Sequence, residues 1–142
     1  MTAKFIPGVG QAFLGDIPAV KKVLHVSYGV SSANPDVVAS DIGVVNLVDI
    51  TVPVVIFGAW VQTEEAWTTS VTGTIGDTGG ADRYFADTTI NMAASGAILI
   101  ASTGLTIPYV DPLGLNVDVT IGGATAAAGL THVYIEYAEL VD

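Results

Sequence analysis

The chain has 142 residues, 51% hydrophobic and only 13% charged, so it is long enough for one packed domain, too short for a second full one and too apolar for disorder. Asp and Glu number 14 against 4 for Lys and Arg, and the net charge of -10 leaves no clustered cations for a phosphate backbone, which excludes nucleic acid as a partner. Cysteine is absent, which removes disulfides, thiolate metal sites and a cysteine nucleophile.

Residues 1–21 read as an extended arm. Pro7, Gly8, Gly10, Gly15 and Pro18 punctuate this stretch too often for a helix or a long strand. Over residues 1–22, Lys4, Lys21 and Lys22 stand against Asp16 alone, a surplus of positive charge in a chain that is otherwise acidic. Phe5, Ile6, Phe13 and Leu14 add more apolar surface than a free linker needs. The arm is therefore expected to lie on a partner, with Lys4, Phe5, Ile6, Phe13, Leu14, Lys21 and Lys22 as its binding residues. The opening MTAKFIPGVGQAF has neither the continuous apolar core nor the small-residue cleavage pattern of a secretory signal, so classical export is not expected.

Residues 22–142 form the second unit, and there the signal has a period of two. Leu24, Val26, Tyr28 and Val30 alternate with His25, Ser27 and Gly29. Residues 44–63 are β-branched and aromatic, broken once by Pro53, and read as two strands or as one with a bulge at the proline. Val71 and Ile75 alternate with Ser70, Thr72 and Thr74, and further strands are expected at 87–92 and 97–101. Residues 88–110 carry no formal charge, but Asn91, Ser95, Gly96, Ser102, Gly104 and Pro108 interrupt them, so no membrane span is expected. The clearest alternation places Val117, Val119 and Ile121 inward with Asn116, Asp118 and Thr120 outward, and Val133, Ile135 and Tyr137 repeat it. The small-residue tract 122–129 reads as a loop, with close packing against a neighbouring subunit as the alternative. Short strands at regular spacing, with no helical face, predict an all-β fold: an antiparallel two-sheet β-sandwich, jelly-roll-like, preceded by the arm.

The chemistry-bearing residues are few. With two histidines and no Gly-x-Ser-x-Gly elbow, a hydrolytic triad is not expected. His132, Tyr134 and Glu136 share the outward parity of the last strand and read as a polar strand surface. Glu64 and Glu65 lie between Trp60 and Trp67, but neighbours on a strand face opposite ways, so they do not make a catalytic pair; a stacking tryptophan leaves sugar binding open. Asp77, Asp82 and Asp87 lie in GDTGGADRYFAD, whose spacing is not that of a dedicated calcium loop. Asp77 is expected to cap its own turn and Asp82 to pair with Arg83, the only arginine. Neither metal nor cofactor is expected.

From Val44 to Tyr137 the order of segments is familiar. Thr51-Val52-Pro53-Val54-Val55-Ile56 leads to Val61-Gln62-Thr63-Glu64-Glu65-Ala66-Trp67, then to a Thr-rich strand closing on Ile75-Gly76-Asp77. Asp-Arg-Tyr-Phe follows at 82–85, and Val-Tyr-Ile-Glu-Tyr at 133–137 ends the series. This resembles the capsid decoration, or cement, proteins of tailed bacteriophages. The resemblance implies a β-sandwich, often a jelly roll, present without catalysis in many copies on the outer surface of the head. The expected partners are the major capsid protein and sister subunits, with a trimer or dimer as the default of closed cyclic assembly. A net charge of -10 per subunit, repelled by packed DNA, favours the same outer position. The alternatives are a tail or fibre module binding a host-surface glycan, and a non-viral carbohydrate-binding module.

Overall fold

The structure, a computed structural model, describes residues 20–86 and 108–140, and residues 98–100 as main chain. Lys4, Phe5, Ile6, Phe13, Leu14 and Asp87, and the strand expected at 87–92, lie outside the described residues.

In chain order the strands are β1 (Lys21–Gly29), β2 (Val37–Val38), β3 (Gly43–Ile50), β4 (Val54–Glu65), β5 (Thr72–Asp77), β6 (Gly80–Phe85), β7 (Ile98–Ile100), β8 (Tyr109–Asp111), β9 (Leu115–Gly122) and β10 (Leu130–Glu139). They build two sheets. The larger runs β2-β1-β10-β4-β7, with β8 also paired to β4, and the smaller runs β3-β9-β5-β6. Every pairing is antiparallel except that of β1 with β2. The chain is thus the all-β, two-sheet sandwich that its alternation predicts.

β9 shows why. Leu115, Val117, Val119 and Ile121 are at most 1% exposed, while Asn116, Asp118, Thr120 and Gly122 are only partly covered. The inward row meets Ile56, Val61, Val133 and Ile135 of the other sheet's strands in one core. At roughly 1.5–3 kcal/mol for each fully buried aliphatic side chain, these two facing rows supply the main favourable term for closing the sandwich. β10 keeps the expected parity, with Val133, Ile135 and Tyr137 inward and His132, Tyr134 and Glu136 outward.

Residues 44–63 resolve into two strands, β3 and β4, with Pro53 between them. Pro53 supplies no N–H, but its carbonyl accepts the Leu140 N–H at 2.8 Å, tying the end of β10 to the connection. Two findings concern the ends of segments. β1 begins at Lys21, the last residue of the expected arm, so Lys21 is a sheet residue opposite Ala138 of β10, and Lys22 follows opposite Tyr137. The small-residue tract is a loop over 123–129, as expected, and the Trp67 ring lies over Gly129, whose φ of +144° and contact with that ring leave no room for a Cβ.

Candidate functional site

Three strands of the larger sheet put a row of rings on its outer face. His25 on β1 lies opposite Tyr134 on β10, which lies opposite Trp60 on β4. The Tyr134 ring is 4.7 Å from His25 and 5.4 Å from Trp60, at interplanar angles of 18° and 8°. These are offset-stacked separations. His132, one outward position along β10, meets the His25 ring edge to edge, His25 Nε2 to His132 Nδ1 at 2.7 Å. The other nitrogen of His132 lies 2.6 Å from Glu64 Oε1. Glu64 is free to turn that way because it is the extra residue of a bulge: Leu130 pairs with Glu65 and Thr131 with Thr63. Glu65 is exposed at the strand end. At the other end of the row, Lys21 lies 4.8 Å over the Phe57 ring and 3.8 Å from Glu136, and Lys22 is 3.1 Å from Glu139.

Beside this row Asp36 is anchored. The Ser27 main-chain N–H donates to Asp36 Oδ2 at 2.9 Å, and the Asp36 N–H donates to the Ser27 hydroxyl at 2.8 Å. The main-chain bond from Ser27 holds the Asp36 carboxyl below its ordinary value, with smaller help from the Ser27 side chain, His25 and His132.

The chemical capacity of this face follows from what each group already holds. Both ring nitrogens of His132 are engaged, one by His25 and one by Glu64, so neither stands open to a hydroxyl nucleophile. Tyr134 has Trp60 against one side and His25 against the other, and a sugar ring needs an open aromatic face. Trp67 turns inward, 3% exposed, and donates its Nε1–H to the Thr131 hydroxyl at 2.9 Å.

A second polar cluster lines an open pocket of about 280 Å3 at the β5–β6 turn. Asp77 does cap its turn, accepting the N–H groups of Gly79 and Gly80, both at 2.9 Å. Arg83 pairs with Asp77, Nε to Oδ2 at 2.7 Å, in place of the expected pair with Asp82. Two residues apart on β6, Arg83 and Ala81 share a face, whereas Asp82 points the other way. The hydrogen bond to Asp77 raises the Arg83 pKa, so the guanidinium stays charged, and its Nη1 donates to the Tyr109 hydroxyl at 3.3 Å. The pocket's resident cation is this arginine. Among the described residues no three His, Asp or Glu side chains converge as metal ligands.

Of the arm residues proposed from sequence, Lys21 and Lys22 are placed, and both are held by carboxylates of β10. Sequence reasoning grouped His132, Tyr134 and Glu136 and weighed Trp60 separately as a stacking residue, but did not bring His25 or Trp60 into this row. Their outward parity on β1 and β4 was the available signal; the cross-strand register was not.

No family model and no curated protein matches the chain. Its fold, however, occurs in a phage capsid. A chain of the cyanophage Pam1 capsid asymmetric unit superposes with a TM-score of 0.60 at 19% identity, over 97% of this chain and 94% of that one. At that identity the likeness is one of fold.

Proposed function

We propose that this chain is a structural protein of a tailed-phage virion that sits on the outer surface of the head and cements neighbouring capsid subunits. The observation that carries the reading is the two-way coverage: 97% of this chain and 94% of the Pam1 capsid chain share one fold, so neither has a large unit the other lacks. The net charge of -10 supports an outer position, away from packaged phosphates. The strand order, with β3 and β5 in one sheet and β4 in the other, is read as the jelly roll that the sequence resemblance implies. The proposed partners are the major capsid protein and sister subunits, in a dimer or trimer.

The role is binding and not catalysis, in line with the fully engaged nitrogens of His132. Imaging of intact virions with an antibody or tag on this chain tests the proposal. Label repeated over the outside of the head is the expected result. Label confined to the tail, or absent from the particle, overturns it.

A further inference from the structure

Among the described residues, one flank of the sandwich is open. β2 is the outermost strand of the larger sheet and β3 of the smaller, and only residues 39–42 lie between them in sequence, so both free edges are on the same side. An edge strand presents unpaired N–H and C=O groups, and soluble proteins blunt such edges with lysine, proline or bulges. β3 has a bulge at Leu47, between Asn46 and Val48, but Gly43–Asn46 before it carries no lysine or proline. In and just before that stretch alternate apolar residues face outward: Val38 is 53% exposed, Ile42 62% and Val44 66%, while Val45 packs against the core. The surrounding charges have one sign. Asp36, Asp41 and Asp49 are exposed nearby, and no lysine or arginine occurs between Lys22 and Arg83.

We propose that Val38, Ile42 and the β3 edge Gly43–Asn46 form a docking surface for an extended capsid-protein strand with basic residues beside β-branched ones. That the strand belongs to the capsid protein rests on the function proposed above. The pairing is β-strand addition: main-chain bonds to β3 give affinity, and Ile42 and Val44 receive alternate apolar side chains. Basic residues on the incoming strand meet Asp41 and Asp49. Charge sets aside two other occupants. A second copy would bring the same aspartates against each other. Residues 1–20 carry one lysine and one aspartate, so they offer no net side-chain charge to match.

The test is co-sedimentation of the full chain with purified heads stripped of it, paired with hydrogen exchange of residues 42–46. Val44→Lys and Ile42→Lys, each shown by circular dichroism to melt like the parent, are expected to weaken binding at least tenfold, about 1.4 kcal/mol. Val110→Lys, at a site 55% exposed on β8, serves as the control and is expected to bind unchanged. Asp41→Asn with Asp49→Asn is expected to weaken binding and flatten its salt dependence. Protection of the amides in 42–46 that point away from β9 should appear only on heads. Parent-like binding by Val44→Lys and Ile42→Lys overturns the docking surface while leaving the capsid role standing. Protection of those same outward amides already present in free protein also overturns it, in favour of a second copy if concentration-dependent and of the chain's own arm if not. Failure of the parent chain itself to bind heads removes both proposals.

Discussion

Val119 and Asp118 are adjacent on β9, yet one is fully buried and the other keeps its carboxylate at the surface, accepting from Asn46 Nδ2 at 2.8 Å. Val119→Asp forces an unpaired charge between the sheets and is expected to cost several kcal/mol, whereas Asp118→Asn retains an acceptor oxygen and should cost under about 1 kcal/mol. Urea titration of both variants checks this, and equal losses would mean the register is wrong. Tyr84 raises the opposite question. It is 0% exposed, and its hydroxyl has no hydrogen-bond partner among the described residues. Burial, with the Asp77 charge second, pushes its phenol well above the ordinary range, so it stays neutral. With no partner among the described residues to offset the water its hydroxyl lost, Tyr84→Phe is expected to raise stability by about 1 kcal/mol. A destabilised Tyr84→Phe would reveal a partner for that oxygen. Asp36 carries the pH dependence. Its native pKa lies below the ordinary 3.8, so its contribution to stability is complete above that value and is lost as pH falls through the lower native one. Melting temperatures from pH 6 downward should fall less steeply in Asp36→Asn than in the parent over that acid window.

At the scale of the strand, alternation alone was enough for β9, which keeps one phase from end to end, and for residues 131–137 of β10. β4 does not keep one phase. Val54 and Ile56 are inward at even positions, but Ala59, Val61 and Thr63 are inward at odd ones. The phase slips at Phe57, which is left over where Glu136 pairs with Gly58 and Tyr137 with Ile56. A bulge of this kind answers to the partner strand, so the local pattern of β4 could not announce it. The same holds for Glu64, whose bulge brings it to His132, and for Arg83, whose choice of Asp77 depends on the β5–β6 turn. Lys21, expected at the end of the arm, opens β1 for a related reason: its carboxylate partner Glu136, like Glu139 beside Lys22, belongs to β10. Because β1 begins at Lys21, deletion of residues 1–20 is expected to leave the sandwich folded with a similar melting temperature. Loss of cooperative melting in that deletion would make the arm an integral part of the core.

For the whole molecule, the core between the two sheets is expected to carry stability without a bound ion. Excess EDTA is expected to leave the melting temperature unchanged, since a native-state ion would have stabilised the fold by mass action. A drop of several degrees would turn attention to the Asp77 turn. The pairing of β1 with β10 has a consequence in time. Nine residue pairs join them, from Lys21 with Ala138 to Gly29 with Leu130, and β10 is also the strand on which β4 rests. The larger sheet therefore has a gap at its centre until Leu130–Glu139 has left the ribosome. Until then β1 and β4 each hold an apolar face and an unpaired edge without their common neighbour. Folding must wait for synthesis, and closing so long a loop is slow. During that interval the nascent chain depends on dilution or a chaperone, and a truncation before β10 yields an aggregating fragment and not a smaller domain.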